Sequence, residues 1–175
     1  YISALGFPEE VKNLEGFWPG VQVCGKDNLR QQSAMWQAML VSAGLQNSKK
    51  IYVNGFILSG GQKMSKSLGN TIDPLELVNK YGTDAVRYFL LSSLSSFEDS
   101  DVSVERFVDV YTSDLVNGIG NLIARVAALA QGEVFVASDR KMKIDERVAN
   151  LVETYQFAEA RAIIKNEIKR ADGII

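Results

Sequence analysis

Histidine is absent from this sequence of 175 residues, and cysteine occurs once, at Cys24. Without histidine, the chain lacks the side chain that most often serves as a general base and as a metal ligand near neutral pH. A single cysteine excludes an internal disulfide, which favours an intracellular, cytoplasmic protein. The sequence therefore predicts no metal site.

Long hydrophobic runs are also missing, since none approaches the length of about 18 residues that suggests a membrane span. No basic segment at the start leads into the apolar core of a secretory signal. Neither sign of charge dominates, because 19 lysine and arginine residues stand against 21 aspartate and glutamate residues. Any binding of phosphate or nucleic acid must then depend on a local group of cations.

Hydrophobic residues make up 46% of the chain, which is enough for the core of one domain or of two small ones. The chain begins with Tyr1 rather than with methionine, and it stops at Ile175 without a closing element. We expect it to be a fragment of a longer chain.

The N-terminal part has the pattern of an α/β fold. Residues 21–24 and 51–58 are apolar runs typical of strands, and residues 28–43 between them have helical spacing. A strand, a helix and a second strand in this order predict a right-handed crossover and a parallel sheet.

Helices are predicted for most of the remaining chain. Asp73 and Pro74 form a typical helix start, and Ser103 is a second candidate cap. The predicted helices cover residues 74–82, 83–91, 103–130 and 145–171, with a loop over 133–143. The two long helices have apolar faces that predict the start of an all-α bundle. The polar stretch 92–101 is typical of a linker, so the predicted domains are residues 1–95 and 96–175.

The stretch GQKMSKSLGN, residues 61–70, follows the second predicted strand and is called the signature loop below. By composition alone it is a solvated surface loop flanked by glycines. It lies, however, at the end of a parallel strand, where open α/β sheets bind their ligands. Lys63 and Lys66 would there stabilise the charge on a departing pyrophosphate, since lysine is a compact cation on a flexible stem. We therefore expect electrostatic catalysis of phosphate chemistry.

Residues 63–67 match all five letters of the KMSKS signature of the class I aminoacyl-tRNA synthetases. Further segments resemble the methionyl-tRNA synthetase family along nearly the whole chain, at residues 1–8, 17–19, 25–27, 53–56, 81–89 and 114–125. The resemblance implies the second half of a Rossmann-like, parallel-sheet nucleotide-binding domain. It also implies that the start of an anticodon-binding helical bundle follows this domain.

The implied activity is that of a methionine–tRNA ligase. Such an enzyme makes an adenylate from methionine and ATP, with Mg²⁺, and transfers the methionyl group to tRNA(Met). By resemblance, Lys66 contacts the phosphates of ATP and Lys63 assists. Ser65 and Ser67 would supply further hydrogen-bond donors, although turn formation is an equal alternative, and Met64 would pack the loop down.

The resemblance also places ATP-binding residues at the ends of the two predicted strands. Gly25 and Asp27 would lie at the ribose and the aminoacyl group, with a helix cap as the alternative role of Asp27. Val53, Asn54 and Gly55 would lie along the adenine and the phosphates. The family more often has histidine where Asn54 stands, and asparagine keeps a hydrogen-bond donor but cannot carry charge.

The implied amino-acid pocket contains Tyr1, Gln31 and Gln32. The family usually has an aromatic residue and a histidine where this chain has its two glutamines, and amides are poorer apolar walls for a thioether. Trp36 matches an aromatic residue near the pocket, or it faces the core. This departure concerns how methionine is recognised and not the reaction.

The implied anticodon-binding residues are Asn121 and Arg125, with Asn117 as a weaker candidate. Asn121 and Arg125 lie four positions apart, so they share one face of the predicted helix. An arginine plane can stack on a splayed base while an amide reads its edge. The alternative is an ordinary polar stripe on a bundle helix.

The family's first nucleotide-binding half and its metal-binding knuckle have no counterpart in these 175 residues. The isolated chain is therefore predicted to be inactive, and its oligomeric state is not predicted. Two alternatives stay open: a class I synthetase for leucine, isoleucine, valine or cysteine, and a non-catalytic tRNA-binding module.

Overall fold

The computed structural model describes residues 1–132 and 143–175, and the chain divides into two compact units. Unit 1 contains Tyr1–Phe56 and Phe97–Asp99, and unit 2 contains Ile57–Ser96 and Ser100–Ile175. The units thus divide at a different place from the predicted domain boundary. The assignment of domains to residues 1–95 and 96–175 stays a prediction.

Unit 1 is built around a pair of parallel strands, β1 (Val21–Gly25) and β2 (Lys50–Asn54). Helix α1 (Val11–Phe17) precedes them, and helix α2 (Trp36–Ser42) lies in the connection between them. Two short helical turns, Lys26–Asn28 and Gln31–Met35, lead into α2. The predicted order of strand, helix and parallel strand is confirmed, and so is the α/β class.

The core of unit 1 consists of buried apolar side chains from three segments. Ile2, Leu14 and Leu40 form its centre, and Trp18 and Trp36 pack against them. Of the apolar residues in 28–43, Trp36 and Leu40 belong to this core, and Leu40 is only 2% exposed, whereas Leu29, Met35 and Met39 are exposed.

The prediction of a single strand over residues 51–58 is wrong. Strand β2 ends at Asn54, and a new strand, β3 (Ile57–Ser59), belongs to unit 2. The ladder of β1 and β2 ends at the register pair Gly25 and Asn54, and the backbone of Glu98 packs so closely on Gly55 that a Cβ there would collide with its carbonyl oxygen. The next amide, of Phe56, donates to the carboxylate of Asp99.

Unit 2 begins with a small sheet that includes β4 (Gln62–Lys63) and β5 (Ser100–Asp101). Strand β3 lies in the middle, antiparallel to β4 and parallel to β5. The turn from β3 to β4 uses Gly60 and Gly61, whose φ angles of +62° and +72° favour glycine. The signature loop thus leaves the sheet at β4.

Two predicted helices follow the loop as expected: α3 (Pro74–Tyr81) and α4 (Thr83–Ser92). The side chain of Asp73 caps α3 by accepting a hydrogen bond from the amide of Leu75, at 2.8 Å. The core of unit 2 forms between α4 and the next helix, around Phe89 and Phe107, which are 2% and 0% exposed.

The long predicted helix is also confirmed, and the Ser103 hydroxyl caps it by accepting from the amide of Arg106. It consists of α5 (Val104–Val110), a π-helical run (Tyr111–Gly120) and α6 (Asn121–Leu129). Backbone segments pack closely within the π-helical run, since a Cβ at Gly120 would lie 2.7 Å from the carbonyl oxygen of Leu115.

The prediction of one helix over residues 145–171 is wrong. Two helices, α7 (Glu146–Glu153) and α8 (Phe157–Asp172), stand in its place. They are separated at Tyr155, which has a φ angle of +63° and so cannot continue a right-handed helix. The predicted loop over 133–143 lies almost wholly outside the described residues. Within the described part of the chain, no helix is long and apolar enough to span a bilayer.

Candidate functional site

The signature loop is closed on itself by Asn70. The side-chain oxygen of Asn70 accepts a hydrogen bond from the amide of Ser65 at 2.8 Å, and its amide nitrogen donates to the carbonyl of Lys63 at 3.4 Å. Between these residues the loop makes a 3-10 turn, Lys66–Leu68, which ends at Gly69 with a φ angle of +62°. Sequence reasoning missed Asn70, although asparagine at the end of a glycine-rich loop is a known turn signal.

The loop points two cations outward and one apolar side chain inward. Lys63 and Lys66 are exposed, whereas the half-buried Met64 packs against the core of unit 2. The hydroxyls of Ser65 and Ser67 share a hydrogen bond of 2.7 Å, so both serines help to form the turn. A closed loop that presents exposed ammonium groups is suited to bind a mobile polyanion.

In unit 1 the ends of the two parallel strands meet. Gly25 and Asn54 are register partners, so the residues that follow β1 and β2 leave the sheet at one edge. A Cβ at Gly25 would lie 2.8 Å from a carboxylate oxygen of Asp27. Glycine at this position therefore makes room for the Asp27 carboxylate, and Gly25 rather than Asp27 is the N-cap of the turn.

Val53, Asn54 and Gly55 occupy the end of β2 and the first residue beyond it. Val53 is half-buried within the strand, and Asn54 is exposed at its end. Backbone atoms of Glu98 cover Gly55 closely. The structure thus places Gly25, Asp27, Asn54 and Gly55 at the carboxyl edge of one small sheet.

Asp99 joins the two strand ends. One of its carboxylate oxygens lies 2.7 Å from the ammonium nitrogen of Lys26 and accepts from the amide of Phe56 at 2.8 Å. These hydrogen bonds, first from Lys26 and then from Phe56, lower the pKa of the Asp99 carboxyl. Asp99 was not predicted, because its partners lie 73 and 43 positions away along the chain.

Tyr1, a residue of the predicted amino-acid pocket, lies beside Trp36 in unit 1. The rings of Tyr1 and Trp36 lie 6.0 Å apart, and Trp18 meets Trp36 edge-on at 6.5 Å. Gln32 is half-buried, and its side-chain oxygen and the indole nitrogen of Trp36 are both buried without a hydrogen-bond partner within the described residues. Gln31 is exposed. Trp36 contacts Tyr1 and also packs on the core, and its place near an amino-acid pocket stays a prediction.

The three predicted anticodon residues lie along the long helix of unit 2. Asn117 is in the π-helical run, and Asn117 and Asn121 are exposed. Arg125 is partly exposed and makes an ion pair of 2.6 Å with Asp172, at the end of α8. Its guanidinium is therefore held in place but still accessible.

The helices of unit 2 are tied together by Asp114, whose side chain is 2% exposed. The carboxylate accepts hydrogen bonds from Lys165 at 2.7 Å, from Tyr88 at 2.8 Å and from Arg161. Burial alone would raise the pKa of this carboxyl, but hydrogen bonds from these three partners outweigh it and hold the pKa well below its usual range. A cavity of about 660 Å³ lies beside this cluster, between α4, the π-helical run and α8.

Metal ligands were not predicted, and within residues 1–132 and 143–175 no group of three or more acidic or cysteine side chains could hold a metal ion. The absence of a metal site from the chain as a whole stays a prediction.

Comparison with known proteins identifies relatives of this chain. The sequence profile described as tRNA synthetases class I (M) matches residues 1–127. Methionine–tRNA ligase of Thermosynechococcus vestitus is 44% identical over 74% of this chain, and the chloroplastic/mitochondrial enzyme of Arabidopsis thaliana is 46% identical over 74%. The match to the Synechocystis enzyme, 37% identical, covers 91% of this chain.

Solved structures give the same result. Methionyl-tRNA synthetase of Mycobacterium tuberculosis, in a crystal structure described as bound by methionyl-adenylate, matches 99% of this chain with a TM-score of 0.86 and 28% identity. A second structure of that enzyme in complex with methionyl-adenylate matches 88%, with a TM-score of 0.72 and 33% identity.

The chain is much shorter than these proteins. It spans 26%, 34% and 22% of the Thermosynechococcus, Synechocystis and Arabidopsis enzymes, and 37% of the first mycobacterial structure. The profile nevertheless covers well over half of the chain, and the segments it matches include the signature loop and both strand ends. The chain therefore belongs to the methionyl family of the class I tRNA synthetases.

Proposed function

We propose that this chain is part of a methionine–tRNA ligase, which activates methionine with ATP and transfers it to tRNA(Met) for protein biosynthesis. The match of 99% of the chain to a structure described as bound by methionyl-adenylate carries this proposal. The relatives reported above are all methionine–tRNA ligases, which favours methionine over leucine, isoleucine, valine or cysteine. The intact signature loop argues against a tRNA-binding module without catalysis.

The signature loop supplies the electrostatic part of the reaction. Lys66 contacts the phosphates of ATP and Lys63 assists, so that both cations stabilise the charge that develops on the leaving pyrophosphate. The hydrogen bonds of Asn70 support this role, because a loop that is already closed needs less ordering when it binds. Mg²⁺ would enter on the phosphates of ATP and would need few protein ligands.

The strand ends of unit 1 bind the rest of the nucleotide. Gly25 and Asp27 take the ribose and the aminoacyl group, while Val53, Asn54 and Gly55 lie along the adenine and the phosphates. Their position at the carboxyl edge of a parallel sheet supports this assignment. Asn54 can donate a hydrogen bond to a phosphate but adds no charge.

Tyr1, Gln31 and Gln32 contribute to the methionine pocket together with Trp36. The contact between the rings of Tyr1 and Trp36 gives the pocket an apolar wall suited to a thioether. The side-chain oxygen of Gln32, for which the described residues offer no hydrogen-bond partner, gives it a polar group that a substrate ammonium could use.

Asn121 and Arg125, with a smaller part for Asn117, bind the anticodon. Arg125 can stack on an unpaired base while its ion pair with Asp172 sets the plane of the guanidinium. The cytoplasmic location stays a prediction based on the single cysteine.

The function is tested in the parent protein, the longer protein of which we expect this chain to be a fragment. The assay is the methionine-dependent exchange of labelled pyrophosphate into ATP. We expect activity in the parent and a loss of roughly a hundredfold in kcat/KM for Lys66→Ala. Lys12→Ala, which removes an exposed lysine of α1, is the matched control. A normal rate for Lys66→Ala would remove the role of the loop.

The isolated 175-residue chain is expected to show no exchange above its own Lys66→Ala variant. The residues proposed for ATP binding belong to strand ends and a loop that the first nucleotide-binding half would complete in this family. Exchange by the isolated chain would show that these residues suffice.

A further inference from the structure

The carboxyl edge of the sheet in unit 1 is completed by a segment from much later in the sequence. Phe97–Asp99 belongs to unit 1, although the residues on both sides of it belong to unit 2. Within unit 1, the rings of Phe97 and Tyr52 lie 5.5 Å apart. The segment is therefore packed onto β2 at its end.

Asp99 makes the polar contacts of this segment with both strand ends. A single oxygen of its carboxylate binds the ammonium group of Lys26, beyond β1, and the amide of Phe56, beyond β2. Both contacts are as short as charge-assisted hydrogen bonds. One carboxylate oxygen of Asp99 thus fixes the distance between Lys26 and Phe56, which are 30 residues apart in the sequence.

Backbone packing makes the arrangement specific. A Cβ at Gly55 would lie 2.0 Å from the carbonyl oxygen of Glu98 and 2.8 Å from the amide nitrogen of Asp99. Because both atoms are backbone atoms, they cannot turn away as a side chain would. The close approach requires glycine, and it brings the carboxylate of Asp99 within reach of Phe56.

The residues that Asp99 holds are neighbours of the residues proposed to bind the nucleotide. Lys26 lies between Gly25 and Asp27, and Phe56 follows Asn54 and Gly55. Nothing in the proposed reaction uses the charge of Lys26, and its pairing with Asp99 raises the pKa of its ammonium group. The charge of Lys26 therefore serves a contact within the protein.

We propose that Asp99 is a positioning residue of the nucleotide site, whose carboxylate sets the turn after β1 and the backbone after β2 in the geometry that binds ATP. The inference rests on the proposed function and deepens it by adding a residue. Because an exposed ion pair adds little to stability, we expect the loss of the pair of Asp99 and Lys26 to change nucleotide affinity rather than the free energy of unfolding.

Four variants of the parent protein separate this role from a structural one. Asp99→Ala removes both contacts, whereas Asp99→Asn keeps an acceptor for the amide of Phe56 and loses the ion pair. Lys26→Met removes only the ion pair. Glu9→Ala, at an exposed acidic residue of unit 1, is the control. ATP affinity is measured by equilibrium titration, the KM for methionine by pyrophosphate exchange, and Tm by calorimetry.

We expect Asp99→Ala to weaken ATP binding by roughly ten- to a hundredfold, the scale of a displacement of about an ångström in a binding site. Asp99→Asn should lose less, and the KM for methionine and the Tm should stay near those of the Glu9→Ala control. The effects of Asp99→Ala and Lys26→Met should not add in the double variant, because both remove the same pair.

ATP affinity within twofold of the parent in Asp99→Ala would overturn the inference, and so would equal losses for ATP and methionine together with a lower Tm. If Asp99→Ala does not fold, Asp99→Asn and Lys26→Met decide by the same criteria. A parent that binds ATP but shows no methionine-dependent exchange would contradict the proposed function alone. A parent that does not bind ATP would contradict both.

Discussion

At several positions the local backbone packing depends on a single residue, and Gly55 is the clearest example. Any side chain there would meet the backbone of Glu98 and Asp99. We expect Gly55→Ala to lower the free energy of unfolding by about 1–3 kcal/mol, the range for overpacked sites. Gly16→Ala is the matched control, because a Cβ at Gly16 meets nothing within 4 Å and Gly16 lies inside α1. Denaturation in urea compares the two, and equal stability would contradict the close approach.

Asn70 is the second decisive residue, since it pairs with the amide of Ser65 and the carbonyl of Lys63. Asn70→Ala should lower the free energy of unfolding by only about 0.5–1.5 kcal/mol, the usual net contribution of a hydrogen bond. It should also speed hydrogen exchange at the amide of Ser65. Asn79→Ala, at an exposed asparagine of α3, should change neither. Unchanged exchange at Ser65 in Asn70→Ala would show that another group closes the loop.

At the scale of elements, Asp114 connects α4, the π-helical run and α8. Its removal leaves Arg161 and Lys165 without their buried partner, so Asp114→Ala should cost about 3–5 kcal/mol of stability. Asp114→Asn, which keeps the shape and loses the charge, should cost less. A loss below 1 kcal/mol in Asp114→Ala, measured by chemical denaturation, would contradict the role of the cluster.

The same carboxylate makes stability depend on pH. The pKa of Asp114 is lower in the folded chain than in the unfolded one, so its contribution is complete above the unfolded value of about 4 and is lost progressively at lower pH. Stability should therefore fall as the pH is lowered from 5 toward 2, and Asp114→Asn should show a shallower fall. Parallel pH profiles for the two proteins would contradict this assignment.

Local sequence signals predicted most elements correctly. Caps at Asp73 and Ser103 marked helix starts that the structure has, because a cap depends only on neighbouring residues. Two errors have non-local or rare causes. Strand β2 ends at Asn54, where the amide of Phe56 donates to the distant Asp99. The helix over 145–171 is interrupted by the left-handed backbone of Tyr155.

For the molecule as a whole, the type of reaction was easier to propose from the sequence than the arrangement of the site residues. The signature loop and the strand ends are short, contiguous patterns, so Lys66 and Gly25 could be proposed as site residues from them. Asp99 and the partner of Arg125 could not, because their contacts join segments 43 to 73 positions apart. The presence of Gln31 and Gln32 in place of the family's usual residues likewise did not indicate how these side chains are arranged.

The bundle and the signature loop should act on different steps of the reaction. Arg125→Ala should raise the KM for tRNA(Met) in aminoacylation by roughly tenfold or more, since stacking on a base contributes about 1–3 kcal/mol. It should leave methionine-dependent pyrophosphate exchange unchanged, because the anticodon takes no part in that step. Arg30→Ala, at an exposed position, is the control. Arg106 is unsuitable, because its guanidinium donates to carbonyls within unit 2. Equal loss in both assays would contradict the separation.

In the proposed reaction, Lys63 and Lys66 hold the phosphates of ATP. A crystal structure of the parent protein with ATP and a non-reactive methionine analogue tests it most directly. We expect the ammonium nitrogen of Lys66 to lie about 3 Å from a phosphate oxygen, with Lys63 close to the same group. Phosphates bound elsewhere, with both ammonium groups in open solvent, would contradict it.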